Sequence, residues 1–385
     1  MKFDFEKIKT PAYIIDEKLL IKNLETLKYV MDKTGCKILL AQKGFSSFYF
    51  YPLISKYLSG TTASGVYEAK LGYSEFKHSE FGKEVHVYSP AYTDEEMNEI
   101  IEICDVIVFN SFNQINKFKD KVRKSKRNIK IVLRVNPEYA EVEHEIYNPC
   151  GAYSRFGEKA KALQNNSDLL GEIDGLHFHS MCEQGVDVLE RTLKVFETNF
   201  KEFIPQMKFI NFGGGHHITK GDYDVEKLIH LINDFQARYK VSVYLEPGEA
   251  VVLNTGFLVS KVIEIFNNEM DIAILDASAA CHMPDILEMP YRAEIINGFQ
   301  KDEKEFNYRL AGATCLAGDI IGDYSFAEKL KVGDYLTFCD MSHYTIVKNN
   351  TFNGMPLPSI YSKNLNDEIV LVKEFSYEDF KNRLS

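Results

Sequence analysis

The chain has 385 residues, of which 45% are apolar and 26% charged, and a formal net charge of −11. That length exceeds one small core and suits a large α/β barrel with a smaller second domain, while the acidic balance argues against a nucleic-acid partner. No apolar run approaches the roughly 20 residues that span a bilayer, and MKFDFEKIKT lacks a signal peptide's apolar core, so a cytoplasmic protein is expected.

In chain order, PAYIID (11–16) reads as a first strand, placed before a long helix. Strand-like apolar runs then recur at CKILLAQ (36–42), GTTAS (60–64), EVHVYS (84–89), DVIVFN (105–110), NIKIVLRVN (128–136), IDGLHFHS (173–180), KFINFG (208–213) and VSVYLEP (241–247). Helical-period segments such as DEEMNEIIEIC, SFNQINKFKDKV, VLERTLKVFETNFKEF and DVEKLIHLINDFQARYK separate them. Eight apolar strands alternating with helices predict a closed (β/α)8 TIM barrel, assigned to residues 22–260. The basic run KDKVRKSKR (119–127) falls on a predicted helix end, where cations complement the helix dipole. From residue 261 to 385 the pattern changes to alternating and β-branched runs, LVSKVIEIF, DIAILDAS, YRAEIIN, DYLTFCD and HYTIVKN among them. These predict a C-terminal β-rich domain that residues 1–21 join through the first strand.

The seven cysteines include no CxxC pair and no metal-ligand spacing, so they read as thiols of a reducing compartment. Cys36, Cys104 and Cys339 are expected as core filler.

In a closed barrel the C-terminal strand ends gather at one mouth. Lys43 ends the first barrel strand, Ser64 and Glu68 follow the second, and Arg134 lies in the fifth. His177 and His179 end the sixth, Gly213, Gly214 and Gly215 end the seventh, and Glu246 ends the eighth. A glycine run lets backbone N–H groups approach an anion, although a tight strand–helix turn uses glycine equally well. At the seventh strand of a barrel the phosphate reading gains weight. A lysine able to form an imine beside a phosphate cradle suggests pyridoxal 5′-phosphate. Glu246, costly to bury alone, would pair with a protonated ring nitrogen, and His179 would stack on the ring rather than fill the core.

AQKGF, TASGVYE, LRVNP, SRFG, HFHS, FGGG, EPGEA, ATCLAGD and YTIVKNNTFNG together resemble the fold-type III pyridoxal-phosphate decarboxylases, over nearly the whole chain. The resemblance implies that Lys43 carries the cofactor, that His179 stacks on it, that Gly214 and Gly215 hold its phosphate, and that Glu246 meets its ring nitrogen. Ser64, Arg134 and Tyr344 would complete the cofactor site. It further implies a homodimer in which Cys315 acts across the interface, in the site of a second copy, as a proton donor.

Two departures bear on the substrate. Leu316 stands where ornithine- and diaminopimelate-type members carry an acid, and Glu249 where most members carry an arginine. Losing a cation and gaining an anion near the mouth suits a substrate with amines at its far end. Asp285 in CHMPDIL and Asp319 in ATCLAGD are expected as further substrate contacts. GGGHH, EPGEA and CHMPDIL are most similar to the branch that decarboxylates carboxynorspermidine and carboxyspermidine. Diaminopimelate or another basic amino acid is the alternative substrate, and an inactive regulatory homologue the non-enzymatic one. Plainer roles stay open for several residues: a surface ion pair for Glu249, a helix cap for Asp285, a buried thiol for Cys315, and loop ordering for Ser154 and Arg155.

Overall fold

The structure, a computed structural model, describes residues 4–76, 83–142 and 144–385. It divides into two compact units, one of Asn23–Val251 and one of Val252–Ser385 with the described part of the first 22 residues.

Strand β1 (Ala12–Asp16) belongs to the second unit, and the strands of the first are numbered after it. They are β2 (Lys37–Ala41), β3 (Gly60–Ala63), β4 (Glu84–Tyr88), β5 (Val106–Phe109), β6 (Lys130–Arg134), β7 (Gly175–His177), β8 (Phe209–Asn211) and β9 (Ser242–Leu245). Each pairs in parallel with the next, and β9 returns to β2 with Lys37 opposite Tyr244, which closes the barrel. The apolar runs form these strands because both of their faces are covered, one by the barrel interior and one by the surrounding helices. Most strands are shorter than the apolar runs that announce them: NIKIVLRVN yields only Lys130–Arg134, because the ladder ends where the chain bends into the mouth loops.

The helices carry their own start signals. Thr93 and Glu96 form a reciprocal capping box at Asp94–Ile103, and Ser111 caps Phe112–Arg123. That second helix ends in Lys121 and Arg123, so the basic run does sit on a helix C-terminus.

Alternation along the strands sorts the barrel interior into layers. Leu39, Val106, Val108, Val132, Phe209 and Tyr244 form a buried apolar cluster, with Tyr88 packed against it. Gly175 is needed in this layer, since a Cβ there would lie 2.7 Å from the Phe209 carbonyl oxygen. Earlier on the same strand faces lie Lys37, Glu84 and Lys130 at the closed end; later ones, Arg134, His177, Asn211 and Glu246, face the mouth.

The second unit is a mixed sheet. Its strands β10 (Gly256–Asn268), β11 (Met270–Leu275), β12 (Phe299–Gln300), β13 (Phe306–Ala311), β14 (Ile320–Phe326), β15 (Tyr335–Cys339), β16 (Ser359–Lys363) and β17 (Ile369–Lys373) run in the order β12-β14-β13-β11-β10-β1-β16-β17, with β15 on β10. The N-terminal strand lies at its centre, antiparallel to β10 and parallel to β16. Tyr13, Leu258, Tyr308, Tyr324 and Phe338 are fully enclosed in its core. The CHMPDIL segment lies on two single helical turns, Ala279–His282 and Asp285–Glu288, the first capped by Ser278. All seven cysteines are free thiols; Cys36 and Cys104 are buried as expected, but Cys339, the last residue of strand β15, is only half-buried. Among the described residues, no helix is long and apolar enough to cross a membrane.

Candidate active site

Lys43 sits in the turn that follows β2. Gly44 N–H donates to the Ala41 carbonyl at 3.0 Å, and Gly44 is packed so closely on the β9 turn that a Cβ would lie 3.2 Å from the Glu249 nitrogen. The Lys43 side chain reaches solvent through the mouth yet is ringed by protein. Burial and the nearby Arg134 guanidinium lower its pKa, while Cys182, Glu246 and Glu68 pull the other way. A larger share of neutral amine follows, which is the nucleophilic form.

Its Nζ lies 3.4 Å from His179 Nε2. The opposite ring nitrogen, Nδ1, faces the Gly214 backbone, 3.1 Å from its carbonyl oxygen and 3.2 Å from its nitrogen. Burial, Lys43 and Arg134 push His179 well below the usual histidine range, so the ring is neutral. Arg134, itself buried, donates to the His179 carbonyl at 3.2 Å and lies over the rings of Tyr88 and Phe156. Phe156 belongs to the SRFG turn. Ser154 and Arg155 order this turn, through Ser154 Oγ to Pro149 and the Arg155 carbonyl to Asn110.

Glu246 is buried behind this group. Asn211 Nδ2 donates to its Oε1 at 2.8 Å and His177 Nε2 to its Oε2 at 3.0 Å. Burial opposes the charge, but His177, His86 and Asn211 outweigh it and hold the carboxyl down at about 2. His177 is lowered by burial, so the direction we assign is a carboxylate accepting from a neutral imidazole.

The three glycines are required sterically. A Cβ on Gly213 would lie 2.4 Å from the Phe178 carbonyl oxygen, on Gly214 2.2 Å from that of Glu246, and on Gly215 1.9 Å from that of Met181. The Gly213 N–H is taken by Asn211 Oδ1. Among the described residues no acceptor takes the N–H groups of Gly215 or His216. A lysine with a depressed pKa, a neutral ring beside it, a buried carboxylate and a tight turn with open N–H groups fit pyridoxal phosphate in donor type and charge.

Glu68 stands beside Lys43 electrostatically; it accepts from the Ser64 N–H at 2.6 Å and burial raises its pKa. Glu249 heads the short helix Glu249–Val252, and its Oε1 lies 3.2 Å from His217 Nε2. Glu183 joins them: the ligand-capable atoms of Glu183, His217 and Glu249 all lie within 4.8 Å of one another. The sequence shows no metal spacing there because the three residues come from separate loops.

The remaining expected residues lie in the sheet unit. Cys315 is exposed on a turn, its N–H held by Asn353 Oδ1 at 2.8 Å, and Leu316 beside it is 43% exposed. Tyr344, at φ 44°, precedes the helical turn Thr345–Lys348. Asp319 is buried, and its oxygens accept from Ser278 Oγ, the Ala280 N–H, and the N–H and Oγ1 of Thr314. Asp285 is ion-paired with Lys348, which also meets Glu288. Both aspartates expected to touch substrate therefore have their carboxylates engaged within the fold.

Asn211 and Glu183 escaped the sequence reading. Asn211 was detectable in principle, because it precedes the glycine turn by an even step along β8 and so shares the inner face.

A family model described as pyridoxal-dependent decarboxylase, C-terminal sheet domain, matches residues 12–342. The carboxynorspermidine/carboxyspermidine decarboxylase of Campylobacter jejuni is 48% identical over 98% of this chain and 99% of its own. The carboxyaminopropylagmatine decarboxylase of a Synechocystis species is 40% identical over 98% of this chain and 96% of its own. Among solved structures, carboxynorspermidine decarboxylase from Campylobacter jejuni, complexed with norspermidine, superposes with a TM-score of 0.90 at 46% identity, covering 98% of this chain and 100% of that one.

Proposed function

Because the chain belongs to the pyridoxal-dependent decarboxylases, we propose that it releases carbon dioxide from carboxynorspermidine or carboxyspermidine and leaves norspermidine or spermidine. The observation that carries the chemistry is Lys43, whose amine is depressed in pKa beside a neutral His179 and near the buried Glu246 carboxylate. Pyridoxal phosphate, when bound, supplies a ring that accepts the electron pair left behind by carbon dioxide. Lys43 would hold it covalently, Glu246 would face its ring nitrogen, His179 its ring face, and Gly214 and Gly215 its phosphate, with Ser64 and Arg134 completing the site.

The chain's own groups then divide the work. Lys43 Nζ lies in hydrogen-bonding reach of His179 Nε2, so the neutral ring orients the amine as a hydrogen-bond partner. Glu246 keeps its negative charge because two donors fix both oxygens. Arg134, held over Tyr88 and Phe156, closes one wall and excludes water. Glu249 and Glu183 offer carboxylates to the distal ammonium groups of a long cationic substrate. A diaminopimelate-type substrate would bring its own carboxylate to that end, against two like charges.

The reading extends to a cytoplasmic homodimer. Seven free thiols suit a reducing compartment, and an exposed Cys315 next to an exposed Leu316 suits a surface that a second copy covers. Cys315 then supplies the proton that replaces the departing carboxylate in the other copy's site. Asp319 acts on this step indirectly by pinning the turn that carries Cys315.

The test is carbon dioxide release by purified, cofactor-loaded protein given carboxynorspermidine, carboxyspermidine, carboxyaminopropylagmatine or diaminopimelate. Turnover of the first two well above the others is expected. Preferred turnover of diaminopimelate, or none of any, overturns the assignment.

A further inference from the structure

Three consecutive barrel strands run into loops that bring one histidine and two carboxylates together. Glu183 follows β7, His217 follows β8, and Glu249 follows β9. The backbone ties these loops to one another. The Gln184 N–H donates to the Gly215 carbonyl at 3.0 Å, the His217 N–H to the Gln184 carbonyl at 3.1 Å, and Thr219 Oγ1 to the Ala250 carbonyl at 2.6 Å. His217 is only 9% exposed, and its Nε2 is buried without a hydrogen-bond partner although Glu249 Oε1 lies 3.2 Å away. Among the described residues, no other three histidine, cysteine or acidic side chains bring their ligand-capable atoms within 4.8 Å of one another.

A buried imidazole nitrogen without a partner is costly, and a ligand that takes its lone pair removes that cost. Open zinc sites use three protein ligands drawn from nitrogen and oxygen donors and keep a further position for water or substrate. Imidazole with carboxylates is a donor set that suits divalent transition metals, and two carboxylates balance the charge of such an ion. Bonds of about 2.0–2.2 Å at a tetrahedral angle put ligand atoms roughly 3.4 Å apart. His217 Nε2 and Glu249 Oε1 already stand near that spacing, and rotation of the exposed Glu183 side chain closes the rest. We propose that Glu183, His217 and Glu249 form a binding site for a divalent transition-metal ion of the zinc class at the barrel mouth. The site depends on neither the cofactor nor the substrate assignment. Its consequence does rest on the substrate reading given above: the ion occupies the two carboxylates offered to the distal ammonium groups, so metal and polyamine compete and the metal inhibits.

The test is calorimetric titration of zinc chloride into tag-free, cofactor-loaded protein, run on wild type, Glu183→Gln, His217→Gln and Glu249→Gln. A protein that takes up no cofactor counts against the cofactor reading, and the same titration is then run on it as purified. One tightly bound ion per chain is expected in wild type, with affinity at least about tenfold lower in each variant. Glu183 is exposed, so its variant stays informative if His217→Gln folds poorly. A wild type without such binding, or binding that all the variants retain unchanged, overturns the proposal, the second result placing the ion on other histidines or thiols. Norspermidine added beforehand should weaken zinc binding. Zinc binding that the three variants lose but norspermidine leaves unchanged supports the metal site and counts against the placing of ammonium groups on Glu183 and Glu249.

Discussion

Replacing Glu246 by glutamine preserves shape and exchanges one acceptor for a donor. In the native site both neighbours donate, Asn211 Nδ2 at 2.8 Å and His177 Nε2 at 3.0 Å. A glutamine satisfies one of them with its oxygen and confronts the other with its own N–H groups. Leaving a buried donor unpaired costs about 1–3 kcal/mol at neutral pH. The charge adds a signature that a simple packing defect lacks. A carboxyl depressed from 4.5 to about 2, at about 1.4 kcal/mol per pH unit, corresponds to about 3 kcal/mol. The unfolded chain takes up this proton first, so the contribution is present above the unfolded value and is lost as pH falls through the folded one. Urea unfolding of cofactor-free wild type and variant, followed by circular dichroism from about pH 7 down to about pH 3, reads both effects. The wild type should be more stable at neutral pH, and the gap should narrow on acidification. A gap of the same size at every pH would refute the argument that Glu246 is held as an anion.

Three further outcomes follow from the same geometry. Gly214→Ala places a methyl 2.2 Å from the Glu246 carbonyl; it should cost about 1–3 kcal/mol and weaken cofactor retention, measured by fluorescence titration. Glu249→Gln should raise KM for carboxyspermidine several-fold with cofactor affinity unchanged, as steady-state kinetics would show. Because burial and Arg134 lower the Lys43 pKa, the rate of cofactor capture by stopped-flow absorbance should rise with pH and reach half its maximum below 10.5, the ordinary lysine value.

The barrel was legible because eight buried parallel strands leave eight apolar runs, and because strand ends in such a barrel converge. That convergence places Lys43, His179, the glycine turn and Glu246 together from the strand order alone. It could not show that Glu246 is held by His177 and Asn211, which are 69 and 35 residues away and reveal their partner only through the register of β7, β8 and β9. The aspartates were harder still. Asp319 is satisfied by Thr314, five residues away, and by Ser278, forty-one residues away; Asp285 pairs with Lys348 across 63 residues. A carboxylate in a loop motif looks the same in sequence whether it meets substrate or pins the loop.

The account turns on Lys43 as the residue that holds the cofactor at the barrel mouth. Borohydride reduction of the cofactor-loaded protein, followed by proteolysis and mass spectrometry, tests it directly. A pyridoxyl phosphate adduct confined to the peptide containing AQKGF is the predicted result; an adduct on any other lysine, with Lys43 unmodified, would contradict it.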